Sequence, residues 1–125
     1  MASSSTQDNT RKGSVLKLEF NWVADESDGS FVAAVSNIAV NGIVQAIEIV
    51  PGTPSPTASY AITLSNDFGR DVLNGAGVDL SATLATAILP NPEGIPLIDS
   101  FLTLAITGNS VNSAQGKVII YALEF

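Results

Sequence analysis

The sequence contains no cysteine and no histidine. The first absence excludes disulfides, thiolate zinc sites and cysteine nucleophiles. The second removes the commonest general base and the commonest transition-metal ligand. Aromatic residues are also scarce, at 6% of the chain with one Trp and two Tyr, too few to suggest a sugar cleft. Basic residues are fewer still relative to acidic ones: five Lys plus Arg against twelve Asp plus Glu, a formal net charge of −7. Arg11, Lys12 and Lys17 sit near the start, which leaves Arg70 and Lys117 for everything after. A body of that kind repels phosphate and does not read as a nucleic-acid binder. No apolar run approaches the ~20 residues of a membrane-spanning helix. The opening Met-Ala-Ser-Ser-Ser-Thr-Gln-Asp-Asn-Thr lacks the cationic start and apolar core of a secretory signal. The expectation is a soluble intracellular product with no membrane partner.

What is present suffices for one domain of 125 residues with 46% hydrophobic content. Residues 1–13 are polar and without apolar periodicity, so they read as a flexible N-terminal arm. Either the arm is a frayed terminus, or it orders on a partner surface where Arg11 and Lys12 meet acidic groups. Residues 14–125 read as the folded domain. Leu16, Leu18, Phe20 and Trp22 alternate with Lys17, Glu19 and Asn21, the period-2 pattern of a half-buried strand. Asp25, Glu26, Ser27, Asp28 and Gly29 form an acidic turn. Asn41-Gly42 between two β-branched runs predicts a type I′ turn, pairing residues 35–40 with 43–48 as a hairpin.

Pro51, Pro54 and Pro56 stiffen a surface loop over residues 51–58. Tyr60, Ile62 and Leu64 alternate as another strand. Residues 70–82 read as a structured loop with room for one helical turn. Thr83 to Leu89 fits a strand or a short helix; its β-branched residues and the prolines after it favour strand. Asn91 to Pro96 is a second proline loop. Leu97 to Thr107 follows as a strand with Leu102, Leu104 and Ile106 on one face, and residues 108–116 as a turn. In Lys117 to Phe125, Val118-Ile119-Ile120-Tyr121 is apolar on both faces. Such a strand is central in a sandwich or covered by another subunit, which makes Ile119, Tyr121, Leu123 and Phe125 candidates for partner contact. The fold class is all-β, an antiparallel β-sandwich or a barrel-like single domain.

No constellation for chemistry emerges. Asp25, Glu26 and Asp28 lack the spacing of an EF-hand and read as a solvated turn. Asp67, Asp71 and Asp79, among Gly69, Gly75 and Gly77, could surround a cation, but turn chemistry explains them better. A serine nucleophile without histidine needs a lysine base, and neither Lys17 nor Lys117 has a suitably spaced serine. Trp22 and Tyr60 occupy core positions of alternating strands. No cofactor, no metal and no catalysis are expected.

Tyr60-Ala-Ile-Thr-Leu-Ser, Asp67-Phe-Gly-Arg-Asp-Val-Leu and Asn74-Gly-Ala-Gly-Val-Asp79 together resemble a family of small virion structural proteins of tailed bacteriophages. Leu16 to Trp22 is similar to the family's first strand. Gly108-Asn109 and Gly116-Lys-Val-Ile-Ile-Tyr121 are similar to its closing segment. The chain departs from the family at Phe68-Gly69-Arg70, where the resemblance leads one to expect more acidic residues. Some members look like head decoration (cement) proteins. The resemblance therefore implies a non-enzymatic protein of the virion, made in the host cytoplasm and placed on the capsid surface. Its implied partners are copies of itself, with a trimer favoured, and the major capsid protein, touched by the N-terminal arm or a proline loop. A tail or head–tail connector component stays open, as does a glycan- or receptor-binding module.

Overall fold

A computed structural model describes residues 2–89 and 96–125. Its organising strand is β2 (Val15–Val23), where the expected alternation is realised: Leu16, Leu18, Phe20 and Trp22 are buried. β2 pairs antiparallel with β9 (Gln115–Glu124) in unbroken register from Val15 opposite Leu123 to Val23 opposite Gln115. On its other side β9 pairs with β4 (Val40–Pro51), so the doubly apolar closing strand is central in its sheet. β6 (Thr86–Ile88) and β7 (Pro96–Ser100) complete that side against β4. A second sheet of three strands is ordered β3 (Ala34–Val35), β8 (Thr103–Thr107), β5 (Ala61–Ser65). Every pairing is antiparallel. The two sheets make an all-β sandwich with no helix among the described residues.

The residues expected to form a mobile arm are instead a strand, β1 (Ser4–Lys12), paired with β2 from Ser4 opposite Val23 to Lys12 opposite Val15. A polar segment can do this because an edge strand needs ladder hydrogen bonds more than apolar side chains. Gln7 adds a second tie: its amide donates to Val35 O and accepts from Asn37 N. Ser3 Oγ likewise accepts from Val32 N. Both reach across to the segment that carries β3.

The expected hairpin at Asn41-Gly42 is also corrected. Neither residue has positive φ, and both lie inside the single strand β4. Val35 belongs to the other sheet, opposite Thr103. Gly42 is needed for close approach rather than for a turn. A Cβ there would run into the carbonyl oxygen of Leu123 and lie 2.9 Å from Glu124 Cα.

Leu97 to Thr107 is two strands, because the chain changes sheets between β7 and β8. Asp99 takes φ 49° inside β7, where its register with β4 shifts. Ser36 anchors the residues just past it: its N–H donates to Leu102 O, and its Oγ accepts from Leu102 N at 3.0 Å. Leu102, Leu104 and Ile106 are buried as expected. Residues 70–82 combine turns with isolated bridges of Asp71 to Ser65 and Leu80 to Tyr60, without a helical turn, and β6 realises only the later part of the strand expected over Thr83–Leu89. The second proline loop lies outside the described residues except for Pro96, which opens β7.

Between the sheets, Trp22 stands 6.0 Å edge-on from Phe31 and 6.3 Å from Tyr60. Gly116 makes room for the indole, since a Cβ there would lie 2.8 Å from the Trp22 ring. The Tyr60 hydroxyl is buried without a hydrogen-bond partner, and burial raises its pKa above the ordinary 10.0. Tyr60→Phe removes an unsatisfied polar group, so it is expected to stabilise the fold by about 1 kcal/mol in urea unfolding. The sign of the pH effect follows from the same burial. Above pH 10 the unfolded chain releases the phenolic proton before the folded chain does, so stability falls as pH rises. Tyr60→Phe should remove that part of the alkaline loss.

Candidate interaction surface

In an antiparallel sheet, directly opposed residues point to the same face. The registers therefore define rows across the solvent side of the larger sheet. One row runs Ile43, Leu123, Val15, Lys12, and the next Ala46, Tyr121, Lys17, Thr10. Then come Glu48, Ile119, Glu19, Asp8, and finally Val50, Lys117, Asn21, Thr6. Gln45 is the extra residue where the β4–β9 register shifts, which keeps both Ile43 and Ala46 on this side. The outcome is an apolar band over β4 and β9, bordered by Glu48, Glu19, Lys17 and Lys117. Leu123 is 44% exposed and Val15 43%, while Ile119 and Tyr121 are half-buried by their neighbours.

The sequence candidates are only partly brought together. Ile119, Tyr121 and Leu123 share this face, and exposed Lys12 ends the Leu123 row. Arg11 points to the opposite side, where its Nε donates to Glu124 Oε1 at 2.8 Å. That bond and the carboxylate charge raise the guanidinium pKa. Arg11 is thus a cation paired within its own chain rather than a free charge on a loose arm. Phe125 lies exposed past the end of β9, its N–H donating to Asn41 O.

The prolines sit at the other end of the sheet. Pro51 pairs with Gly116 at the end of β4. The Thr53–Pro54 bond is cis, and Pro54 O accepts from Gln115 N at 2.9 Å. Pro56 is buried, so as a contact residue it is corrected: the loop folds its third proline inward. Asn109 fastens this end. Its Oδ1 accepts from Thr57 N and Val111 N, and its Nδ2 donates to Gly29 O and Val111 O. Three loops are held by that one amide.

Sequence reasoning passed over Ile43 and Val15, which join the apolar face, and Phe68, 95% exposed at the tip of the Asn66–Arg70 turn. A phenylalanine inside a turn of polar and glycine residues was the available signal for Phe68. For Ile43 and Val15 there was none before the register was known.

The acidic segments carry turn chemistry. Asp25 Oδ1 accepts from Ser27 N and Asp28 N. Asp28 Oδ1 accepts from Ser30 N and Oγ, bonds that lower its pKa below the ordinary carboxylate value. Asp71 takes three backbone N–H groups, from Leu64, Leu73 and Gly75. Asp67 is the exception: its Oδ1 accepts from Phe101 N, far along the chain, while Asn66 Oδ1 holds the local turn through Phe68 N and Arg70 N. Among the described residues no three His, Cys, Asp or Glu side chains converge as metal ligands. No helix among them is long and apolar enough to cross a membrane. Comparisons with protein-family models, with curated proteins and with solved structures find no match.

Proposed function

We propose that this chain is a non-enzymatic structural protein of a tailed-phage virion, a capsid decoration protein that self-associates, with a trimer favoured, and binds junctions between major capsid subunits. It would be made in the host cytoplasm and reside on the outer capsid surface. The observation that carries the reading is the apolar band on the solvent side of the central strands. The outer face of an antiparallel sheet is ordinarily polar. Here Ile119, Tyr121, Leu123, Ile43 and Val15 share it, which suits burial against another protein surface. The resemblance of residues 60–79 and 108–121 to small virion proteins adds the setting. Carboxylates occupied by backbone N–H groups and the lack of histidine and cysteine support a non-catalytic role. Trp22 and Tyr60, 1% and 0% exposed, are closed to a glycan.

The test is sedimentation of the purified protein, alone and with expanded capsids of the phage that encodes it. Trimers that bind capsids are expected. Tyr121→Glu with Leu123→Glu should give a folded monomer with capsid binding weakened on the order of a hundredfold, about 2.7 kcal/mol. A wild-type monomer that ignores capsids overturns the proposal, and rings of six or twelve favour a tail or connector component.

A further inference from the structure

β1 is the terminal strand of the larger sheet and, among the described residues, pairs on one side only. Alternate residues of such a strand turn their N–H and C=O groups away from the partner, leaving a row open to a further strand. Natural edges are blunted by short length, prolines, bulges or charge. β1 has nine residues, no proline and an unbroken register with β2. Of its charged residues, Arg11 is engaged with Glu124 on the core side. Asp8 and Lys12 remain. They are opposite in sign, four residues apart and on the same face, and neither has an ion-pair partner among the described residues. Asp8 also stands directly opposite Glu19, a like-charge pair that destabilises the edge as it is.

A strand carrying one charge of each sign on one face is complementary to itself when run antiparallel. We infer that β1 pairs with β1 of a second copy about a two-fold axis at Thr10, each Asp8 opposite the partner's Lys12. Thr10 then faces the partner's Thr10, a favourable cross-strand pair. The incoming ammonium extends the row Glu19–Asp8 and offsets its repulsion. Centring on Asp8 instead would line up four carboxylates, Glu19 and Asp8 of each copy. Centring on Lys12 would oppose two lysines. Gly13, at φ 60°, turns the chain away and limits the contact to residues 8–12 of each copy. The contact is therefore small, modest in affinity and sensitive to salt. It joins the outer faces of two copies into one surface, and it uses the sheet edge, so it stands independently of the face-mediated association proposed above.

The absence of native cysteine makes the geometry directly testable. Thr10→Cys should form a disulfide-linked dimer under mild oxidation, because the residue faces its own copy within disulfide reach. Ser4→Cys, on the same strand but beyond the pairing, should not. Asp8→Lys and Lys12→Asp should each weaken self-association in low salt on the order of tenfold, and the double reversal should restore it. Circular dichroism and urea midpoints check that each exposed-site variant is folded. Equal crosslinking at both positions, none at Thr10, or a double reversal that restores nothing overturns the inference. Tyr121→Glu, which disrupts the face, should leave the Thr10 crosslink in place and so separates the two proposals.

Discussion

Gly42→Ala is expected to destabilise the protein by about 3 kcal/mol, read as a lowered urea midpoint with an unchanged slope. The new methyl group meets backbone, the Leu123 carbonyl oxygen and Glu124 Cα at 2.9 Å, and not the yielding end of a side chain. Relief requires moving β4 away from β9 where Gly42 pairs with both Leu97 and Glu124. Gly42→Asn makes the result diagnostic. Asparagine tolerates positive φ and is welcome in a type I′ turn. At a site of close approach its larger side chain is worse than alanine. Asn more damaging than Ala is therefore the expected order, and an Asn variant near wild-type stability would restore the turn reading.

Asp71→Ala should also cost about 3 kcal/mol, with a fall in Tm of about 10 °C. The carboxylate accepts from Leu64 N and Leu73 N at 3.0 Å and from Gly75 N at 3.1 Å, tying the loop after β5 back onto that strand. Leu64 and Leu73 are buried, so their N–H groups have little access to replacement water. Asp71→Asn keeps the Oδ1 acceptor and loses the bond to Gly75, so it should cost about 1 kcal/mol. Thermal unfolding of the pair measures how much of the loop rests on Oδ1. Equal losses for Ala and Asn would show that charge matters here and the individual bonds do not.

The chain's own residues were enough to establish that it is an all-β protein. Period-2 alternation at Leu16–Trp22 and Tyr60–Leu64, proline loops and the absence of a helical repeat are local properties, legible from neighbouring residues alone. The apolar character of Val118 to Tyr121 was legible as well, but it left two outcomes open, a central strand or one covered by another subunit, and only the pairing of β9 between β2 and β4 decided for the first. Part of the turn chemistry was legible too, because Asp25, Asp28 and Asn66 bond backbone groups two to four residues away, whereas the ties from Asp67 to Phe101 and from Asn109 to Thr57 and Gly29 are not local. Non-local pairing was not. Whether Ser4–Lys12 becomes an edge strand depends on β2 having a free side, and polar residues carry no periodic signal of it. Whether Asn41-Gly42 turns or extends depends on how closely β9 passes, which no residue near Gly42 encodes. The rows that place Ile43 and Val15 beside Leu123, and Asp8 beside Glu19, exist only once four strands fix their register. Side-chain period is local, whereas register is a property of strands far apart in the chain, and the apolar surface belongs to the register.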